Sequence, residues 1–371
     1  MKVLITGGAG FIGSFLTDKL VEMGHQVTIY DNLLEQVHQG KIPSYINKKA
    51  KFVKADLLDY ETLKKYVVKS DYIFPLAARV GVQQSNYEIR DFSDVNIVGM
   101  ANILDILVNN KNIVKKVIMT ASMTSYGEGN YECSTHGVIK PELRSQKQMD
   151  KKEWELNCPT CGKKVKPIAT DENASVNNNS IYALTKNVQE ALLMKVGRLY
   201  NIPVVSLRCF NVYGPRQSLS NPYTGVTAIF ISRLKNHKSP VVHEDGMQTR
   251  DFISVHDVVD ALASAMVKKK ADYQVINLGS GKPTAIKDAA VLLAKLLKKE
   301  ILPEVSTLGR KDDIRNCFAD NSKAKLLLGW KPKVSLEKGF AELIEWSKKE
   351  EATDIFEKAQ QELKEKNLLE K

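Results

Sequence analysis

The sequence predicts an α/β protein, a doubly wound parallel sheet joined to a smaller α/β lobe. Three observations carry that prediction. The chain opens with a short apolar run, Val3-Leu4-Ile5, then a glycine turn, then Phe11, Ile12, Phe15, Leu16 and Leu20 at helical spacing. A second run, His25 to Tyr30, ends on Asp31. Strand-like segments then alternate with helical ones: Ala50 to Asp56, Asp71 to Ala78, a helix from Asn96 to Val108, and a strand from Lys115 to Ala121. Such alternation makes parallel sheets, in which ligands lie at the carboxyl ends of the strands. Asp31, Asp56, Ala77 and Ser122 all fall at strand ends and are expected to face one crevice.

The glycine turn carries the first chemistry. Gly8, Gly10 and Gly13 read G-x-G-x-x-G, and Gly7, Gly10 and Gly13 read G-x-x-G-x-x-G. Glycines let the backbone turn tightly and approach a pyrophosphate, and the helix behind them offers free N–H groups to it. Asp31 follows where dinucleotide folds hold the adenosine ribose. Glycines also punctuate ordinary βαβ turns; the strand before, the helix after and Asp31 favour a dinucleotide.

Composition narrows the partners. The 371 residues suffice for one large domain or two modest ones. Apolar residues at 43% and charged residues at 26% suit a globular protein. No apolar run could span a bilayer, and the glycine turn cuts the first run too short for a signal peptide. A cytoplasmic protein with no membrane partner is expected. The net charge is +11, but the lysines are spread out and no basic block interleaves with aromatics. A phosphorylated ligand is therefore expected rather than a nucleic acid. Five cysteines, an odd number, argue against a secreted disulfide framework.

Beyond Ser122 the alternation breaks. Glu128 to Glu172 is polar and rich in turn formers. A long helix is expected from Ile181 to Leu199, a buried strand from Pro203 to Arg208, and a loop-rich second lobe from Asn211. The expected division is 1–208 with an insertion at 128–172, then 209–350 with a segment near 250–268 returning to the first lobe, then an exposed helical tail at 351–371. Asp288 to Lys299 and Leu336 to Lys349 read as amphipathic helices.

Tyr182 and Lys186 stand four apart and share a helix face. A lysine ammonium beside a phenol favours the phenolate, which makes tyrosine usable as a general base. Such pairs are common on helices without function; here the pair follows a dinucleotide motif and a polar strand end, Ser122 to Gly127. Within the insertion, Cys133-x-x-His136 and Cys158-Pro-Thr-Cys161-Gly162 could complete a tetrahedral, structural zinc shell. Free thiols or a redox Cys-x-x-Cys pair are the alternatives. A short polar segment needs such a staple to order itself. The remaining His25, His38, His237, His243 and His256 lack metal spacing, and Cys209 and Cys317 read as small buried hydrophobes.

From Met1 to about Trp346 the chain resembles the NAD-dependent sugar epimerase/dehydratase family, extended short-chain dehydrogenase/reductases. The resemblance rests on Gly7 to Gly13, Asp31-Asn32-Leu33, Asp56-Leu57, Leu76-Ala-Ala78, Asn96-x-x-Gly99, Ser122, Tyr182-x-x-x-Lys186, Arg208 to Arg216, Thr249 to Phe252, and Arg310 to Asp313. It implies a Rossmann fold with Ser122, Tyr182 and Lys186 as the catalytic set. It places Gly7, Gly10, Phe11, Ile12, Gly13, Asp31, Asn32, Asp56, Leu57, Leu76, Ala77, Ala78, Asn96 and Phe210, with Tyr182 and Lys186, around NAD. It puts Asn211, Arg250 and Arg310 on the diphosphate of a nucleotide sugar, and implies a homodimer built from two helices per subunit. Two departures stand out. Pro75 replaces a frequent histidine, and Asp312 replaces a usual glycine, which puts the shape of the phosphate loop in question. Members that dehydrate or decarboxylate the sugar carry an acid where this chain has Thr124, so Thr124 at the substrate implies 4-epimerisation. The insertion and the loop Ser220 to Val226 are similar to those of dTDP-L-rhamnose 4-epimerase-like members, which implies a dTDP- or UDP-hexose. A 4,6-dehydratase is the alternative within the family. Outside catalysis the alternative is a nucleotide- or nucleic-acid-binding relative, supported by Lys163, Lys164 and Lys166 beside the knuckle; the intact Ser122, Tyr182 and Lys186 speak against it.

Overall fold

The computed structural model describes residues 1–306, 309–310 and 312–369. Lys311 of the Arg310–Asp313 motif, and Glu370 and Lys371 of the expected tail, lie outside the described residues. Seven parallel strands form the central sheet: β1 (Lys2–Thr6), β2 (Gln26–Asp31), β3 (Lys51–Lys54), β4 (Tyr72–Pro75), β5 (Lys116–Ser122), β6 (Val204–Cys209) and β7 (Gln274–Leu278). Their order is β3-β2-β1-β4-β5-β6-β7. It reverses between β1 and β4, the switch point at which such sheets open a crevice.

Five helices make the main crossovers: α1 (Phe11–Glu22), α2 (Tyr60–Val67), α3 (Gly99–Asn109), α4 (Ile181–Leu199) and α5 (Val255–Val267). Side chains alternate across each strand, so each strand feeds two cores. Val3, Ile5, Val205 and Leu207 face Leu16 and Leu20 of α1 and Val258 and Leu262 of α5. Leu4, Val117, Met119 and Val204 face Leu63 of α2, Ile103 and Leu107 of α3 and Leu193 of α4. Each fully buried leucine contributes roughly 1.5–3 kcal/mol. The expected helix at Asn96 to Val108 is α3 preceded by one π-helical turn, Asp94–Val98, which contains Asn96.

A second lobe packs helices Val226–Lys235, Ile286–Leu296 and Leu336–Ser347 around Phe230, Leu234, Leu293 and Phe340. Strand Thr249–Ser254 pairs with Asn211–Tyr213 and Pro283–Ala285, outside the central sheet. It leads into α5, and β7 then joins the sheet edge beside β6. The return to the first lobe thus runs on to Leu278, and Ala324 and Leu328 return to the same core again. In the insertion, Asn130–Cys133 pairs with Gly137–Ile139 and Lys166–Ile168.

The tail is a correction. Phe356–Glu365 is helical, but Ala359 and Leu363 are buried rather than exposed. They recur four apart on one face of the helix, which is turned toward a cavity. Among the described residues no helix is long and apolar enough to cross a membrane.

One buried contact fixes α4 to the sheet. Nη2 of Arg208 on β6 lies 2.5 Å from Oε1 of Glu190 on α4, and Ser206 donates to Oε2 at 2.8 Å. Removing one partner strands the other charge in the interior. Arg208→Ala is expected to lower unfolding stability by about 3–5 kcal/mol in urea titration. Removing exposed Arg90, paired to Asp94 at 3.4 Å, should leave the midpoint unchanged.

Candidate active site

A cavity of about 830 Å³ opens at the carboxyl ends of the strands and reaches from the glycine turn to the C-terminal helix. Asp31, Asp56, Ala77 and Ser122 all line it. So do Gly7, Gly10, Phe11, Ile12, Gly13, Asn32, Leu57, Leu76, Ala78, Phe210, Thr124, Tyr182, Asn211, Arg250 and Arg310. Asn96 and Lys186 do not.

The glycine turn is built by close approach. A Cβ on Gly13 would lie 2.2 Å from the Gly7 carbonyl oxygen, and one on Gly7 would lie 2.6 Å from the Ala77 nitrogen. Gly7 also has φ +68°, open to glycine without strain. Asp31 braces this turn: its carboxylate accepts from Ala9 N at 3.0 Å and Leu33 N at 2.9 Å. Each oxygen keeps a further lone pair for a hydroxyl. Asp56 accepts from Asn32 Nδ2 at 2.8 Å, joining two strand ends at the rim. The bare backbone cradle, the start of α1 and the carboxylate beyond β2 together fit a dinucleotide.

Asn96 acts from beneath. It is fully buried, its Oδ1 accepts from Arg79 N at 2.8 Å, and its Nδ2 donates to Thr185 Oγ1 at 3.0 Å. It ties the loop after β4 to the first turn of α4. That turn is further capped by three polar side chains. Ser180 accepts from Ala183 N, Asn86 from Ile181 N at 3.1 Å, and Ser85 from Tyr182 N at 2.9 Å. These caps satisfy N–H groups that a helix start leaves free, and they fix the Tyr182 backbone.

At the reacting end, Ser122 Oγ accepts from Thr124 Oγ1 at 2.8 Å. Burial pushes the Tyr182 phenol up to about 12, against the pull of the Ser122 hydroxyl. Burial pushes Lys186 down to about 8, against the pull of the Glu190 carboxylate. Nζ of Lys186 donates to Gln189 Oε1. The phenol therefore stands above its ordinary value, where the helix spacing led to the expectation of a depressed one. Desolvation dominates both groups, and Lys186 is not among the charges that act on Tyr182.

The far end carries two arginines. Arg250 and Arg310 both act on the Asp313 carboxylate. Burial pushes the Asp313 carboxyl up, but the two guanidiniums hold it below its ordinary value. Burial lowers Arg310, and Arg250 lowers it further. Arg250 spends its terminal nitrogens on Asp313 Oδ1 at 2.7 Å, Ile314 O at 2.8 Å and Thr249 O at 2.9 Å. Among the described residues, buried Arg310 Nε and Asn211 Oδ1 have no hydrogen-bond partner. An orphan guanidinium donor in a cavity suits an anion. Asp312, where glycine is usual, has φ +61°, the left-handed region that favours glycine.

Outside the cavity, one ligand atom from each of Cys133, His136, Cys158 and Cys161 lies within 4.8 Å of the others. Cys133 Sγ is 3.6 Å from His136 Nδ1 and 3.7 Å from Cys161 Sγ, and Cys158 Sγ is 3.4 Å from His136 Nδ1. The insertion is bolted to the segment that carries Asp313. Glu128 accepts from Arg315 N and Asn316 N, and Arg144 pairs with Glu244 at 2.6 Å. Sequence reasoning missed Glu128, Asp313, and the lining residues Phe356, Ala359, Gln360 and Leu363. The stripe Phe356, Ala359, Leu363 at helical spacing was the available signal for the last group.

A Rossmann crevice with serine, tyrosine and a buried lysine at one end and two arginines at the other has the make-up of a dinucleotide-dependent enzyme. Residues 3–145 match the family model described as "NAD dependent epimerase/dehydratase family", and residues 162–343 that described as "GDP-mannose 4,6 dehydratase". The chain is 34% identical to dTDP-L-rhamnose 4-epimerase of Burkholderia thailandensis, over 93% of this chain and 94% of the relative. It is 32% identical to a putative UDP-glucose 4-epimerase of Methanocaldococcus jannaschii, over 95% and 100%. The UDP-glucose 4-epimerase of Thermotoga maritima, solved with UDP-glucose, superposes with a TM-score of 0.77 at 31% identity, over 94% of this chain and 99% of that one. The chain belongs to the NAD-dependent epimerase/dehydratase family.

Gly13→Ala forces a methyl group into the Gly7 carbonyl and is expected to cost about 1–3 kcal/mol of overpacking strain. The variant should lose the dinucleotide that denatured wild-type protein releases, read by chromatography.

Proposed function

We propose that this chain is an NAD-dependent nucleotide-sugar 4-epimerase acting on a dTDP- or UDP-hexose, in the manner of dTDP-L-rhamnose 4-epimerases. The observation that carries this reading is Thr124, a hydroxyl bonded to Ser122, in the place where dehydrating and decarboxylating members carry an acid. The carboxylates that line the cavity are Asp31, Asp56, Asp91, Asp312 and Asp313, and none lies on the segment from Ser122 to Tyr182. Asp91 is paired to Arg79 and Asp313 to Arg250.

Bound NAD supplies a hydride acceptor that can also give the hydride back. Asp31 holds the ribose hydroxyls and repels a 2′-phosphate, which selects NAD over NADP. Tyr182 takes the proton of the sugar 4-hydroxyl and later returns one to the 4-keto oxygen. Ser122 hydrogen-bonds that oxygen and relays the proton. Lys186, on the inner face of α4, lies buried behind both and donates to Gln189. Asn211, Arg250 and Arg310 hold the diphosphate while the 4-keto sugar turns to present its other face. The catalytic and binding roles are supported by the places these residues take along one cavity.

We further propose a structural zinc on Cys133, His136, Cys158 and Cys161. A tetrahedral site with Zn–S of about 2.3 Å and Zn–N of about 2.0 Å sets S···S near ~3.8 Å and S···N near ~3.5 Å. The observed 3.7, 3.6 and 3.4 Å match those spacings. Four protein ligands leave no open position, so the role is structural. A homodimer through α3 and α4 is the proposed assembly; Val98 and Leu184, at the starts of those helices, are exposed.

Two experiments test these readings. Incubation with a panel of UDP- and dTDP-hexoses, without added NAD, should give products of unchanged mass with inverted C4. Tyr182→Phe should slow this at least about 10²-fold. Loss of water from the sugar would instead mark a 4,6-dehydratase. Elemental analysis of protein purified without chelator should find about one zinc per chain, lost in Cys158→Ser. Metal-free wild-type protein would contradict the zinc site.

A further inference from the structure

We propose that the C-terminal helix Phe356–Glu365 is part of the substrate site, with Gln360 as its polar contact, and that it selects an uncharged hexose. The proposal rests on the reading of the cavity as a nucleotide-sugar site. Phe356, Ala359, Gln360 and Leu363 line that cavity. Both family models end before the helix, at residue 343 or earlier. It is a wall that the matched stretches do not supply.

The helix is fixed at both ends, so its middle turns are what the cavity meets. At the start, Arg233 pairs with Glu357 at 2.9 Å and stacks over the Phe356 ring at 4.5 Å. Asn236 donates to Ala352 O at 2.6 Å. Toward the far end, Tyr223 donates to Glu362 at 2.5 Å and Tyr87 donates to Tyr223 at 2.7 Å. That chain of hydroxyls joins three segments: the first lobe, the 218–225 loop and the tail. Along one face the helix presents three apolar side chains and one amide to the cavity. The Gln360 side chain makes no hydrogen bond among the described residues.

The chemistry of this wall sets the class of sugar. Glu357 and Glu362 are engaged, and Lys358 and Lys364 are exposed. The cation at this wall, Arg233, is already paired with Asp354 and Glu357, so a sugar carboxylate set on the helix would lose water without an unpaired cation to meet it. A neutral hexose would set its apolar face on Leu363 and satisfy one hydroxyl at Gln360, the usual composition of a small-molecule site.

The test measures Kd by calorimetry and kcat and KM by product NMR, with UDP-glucose and UDP-glucuronate. Wild type, Gln360→Ala, Gln360→Arg and Ala359→Trp are compared, with melting temperature and NAD content as controls. Gln360→Ala should raise Kd and KM for UDP-glucose by roughly three- to tenfold with kcat nearly unchanged, the usual effect of one lost hydrogen bond. Ala359→Trp should weaken UDP-glucose further at full NAD content. Gln360→Arg should move the preference toward UDP-glucuronate. Unchanged Kd in both Gln360 variants overturns the proposal, as does a wild-type preference for UDP-glucuronate. The reaction type is read separately: a product without inverted C4 overturns the epimerase reading, while Kd still decides the role of the helix.

Discussion

Glu190 of α4 and Arg208 of β6 meet 2.5 Å apart in the interior, and the helix that carries Tyr182 and Lys186 is held to the sheet by that contact. Desolvating two charges is expensive, so such a pair contributes position more than stability. Its reach is long. The Arg208 guanidinium stacks over the Tyr126 ring at 4.8 Å. Tyr126 donates to Asn277 at 2.8 Å, and Asn277 donates to Thr170 O at 2.9 Å at the end of the insertion. One buried network therefore ties the reacting helix, the loop after β5, the sheet edge and the insertion together. Glu190 also lowers the cost of the buried Lys186 charge.

The cavity is graded along its length. Bare backbone and a braced carboxylate lie at one end, hydroxyls and a buried lysine in the middle, and two guanidiniums at the other. Under the proposed function each part meets a different demand: close approach, proton transfer and charge neutralisation. The insertion takes no part in the lining, yet it bears on the third. Glu128 and Arg144 hold the backbone from Asp313 to Asn316, and Asp313 in turn holds Arg250.

Much of this was legible in the sequence because it depends on local patterns. The first βαβ unit, the glycine cradle and the strand ends follow from apolar spacing and from residues that only one backbone geometry tolerates. The Cys/His cluster follows from ligand spacing. What the sequence hid depends on tertiary placement. Asn96 and Lys186 sit under the site rather than on it, because the π-helical turn and the inner face of α4 point into protein. The phenol–lysine pair looks like a depressed tyrosine on a helix diagram, but burial reverses the balance in the folded pocket. The tail reads as polar and mixed in charge, and only its stripe of Phe356, Ala359 and Leu363 betrays a packed face. β7 is a short strand far along the chain whose place at the sheet edge follows from the path of α5.

The central claim is that one tyrosine serves both halves of a cycle in which the sugar's own hydride leaves C4 and returns to its opposite face. The direct measurement is turnover of a nucleotide hexose deuterated at C4, in ordinary water and without added NADH. Retention of the label at C4 of the inverted product is the predicted result. Loss of the label to solvent, or a product that forms only with added NADH, would contradict the account.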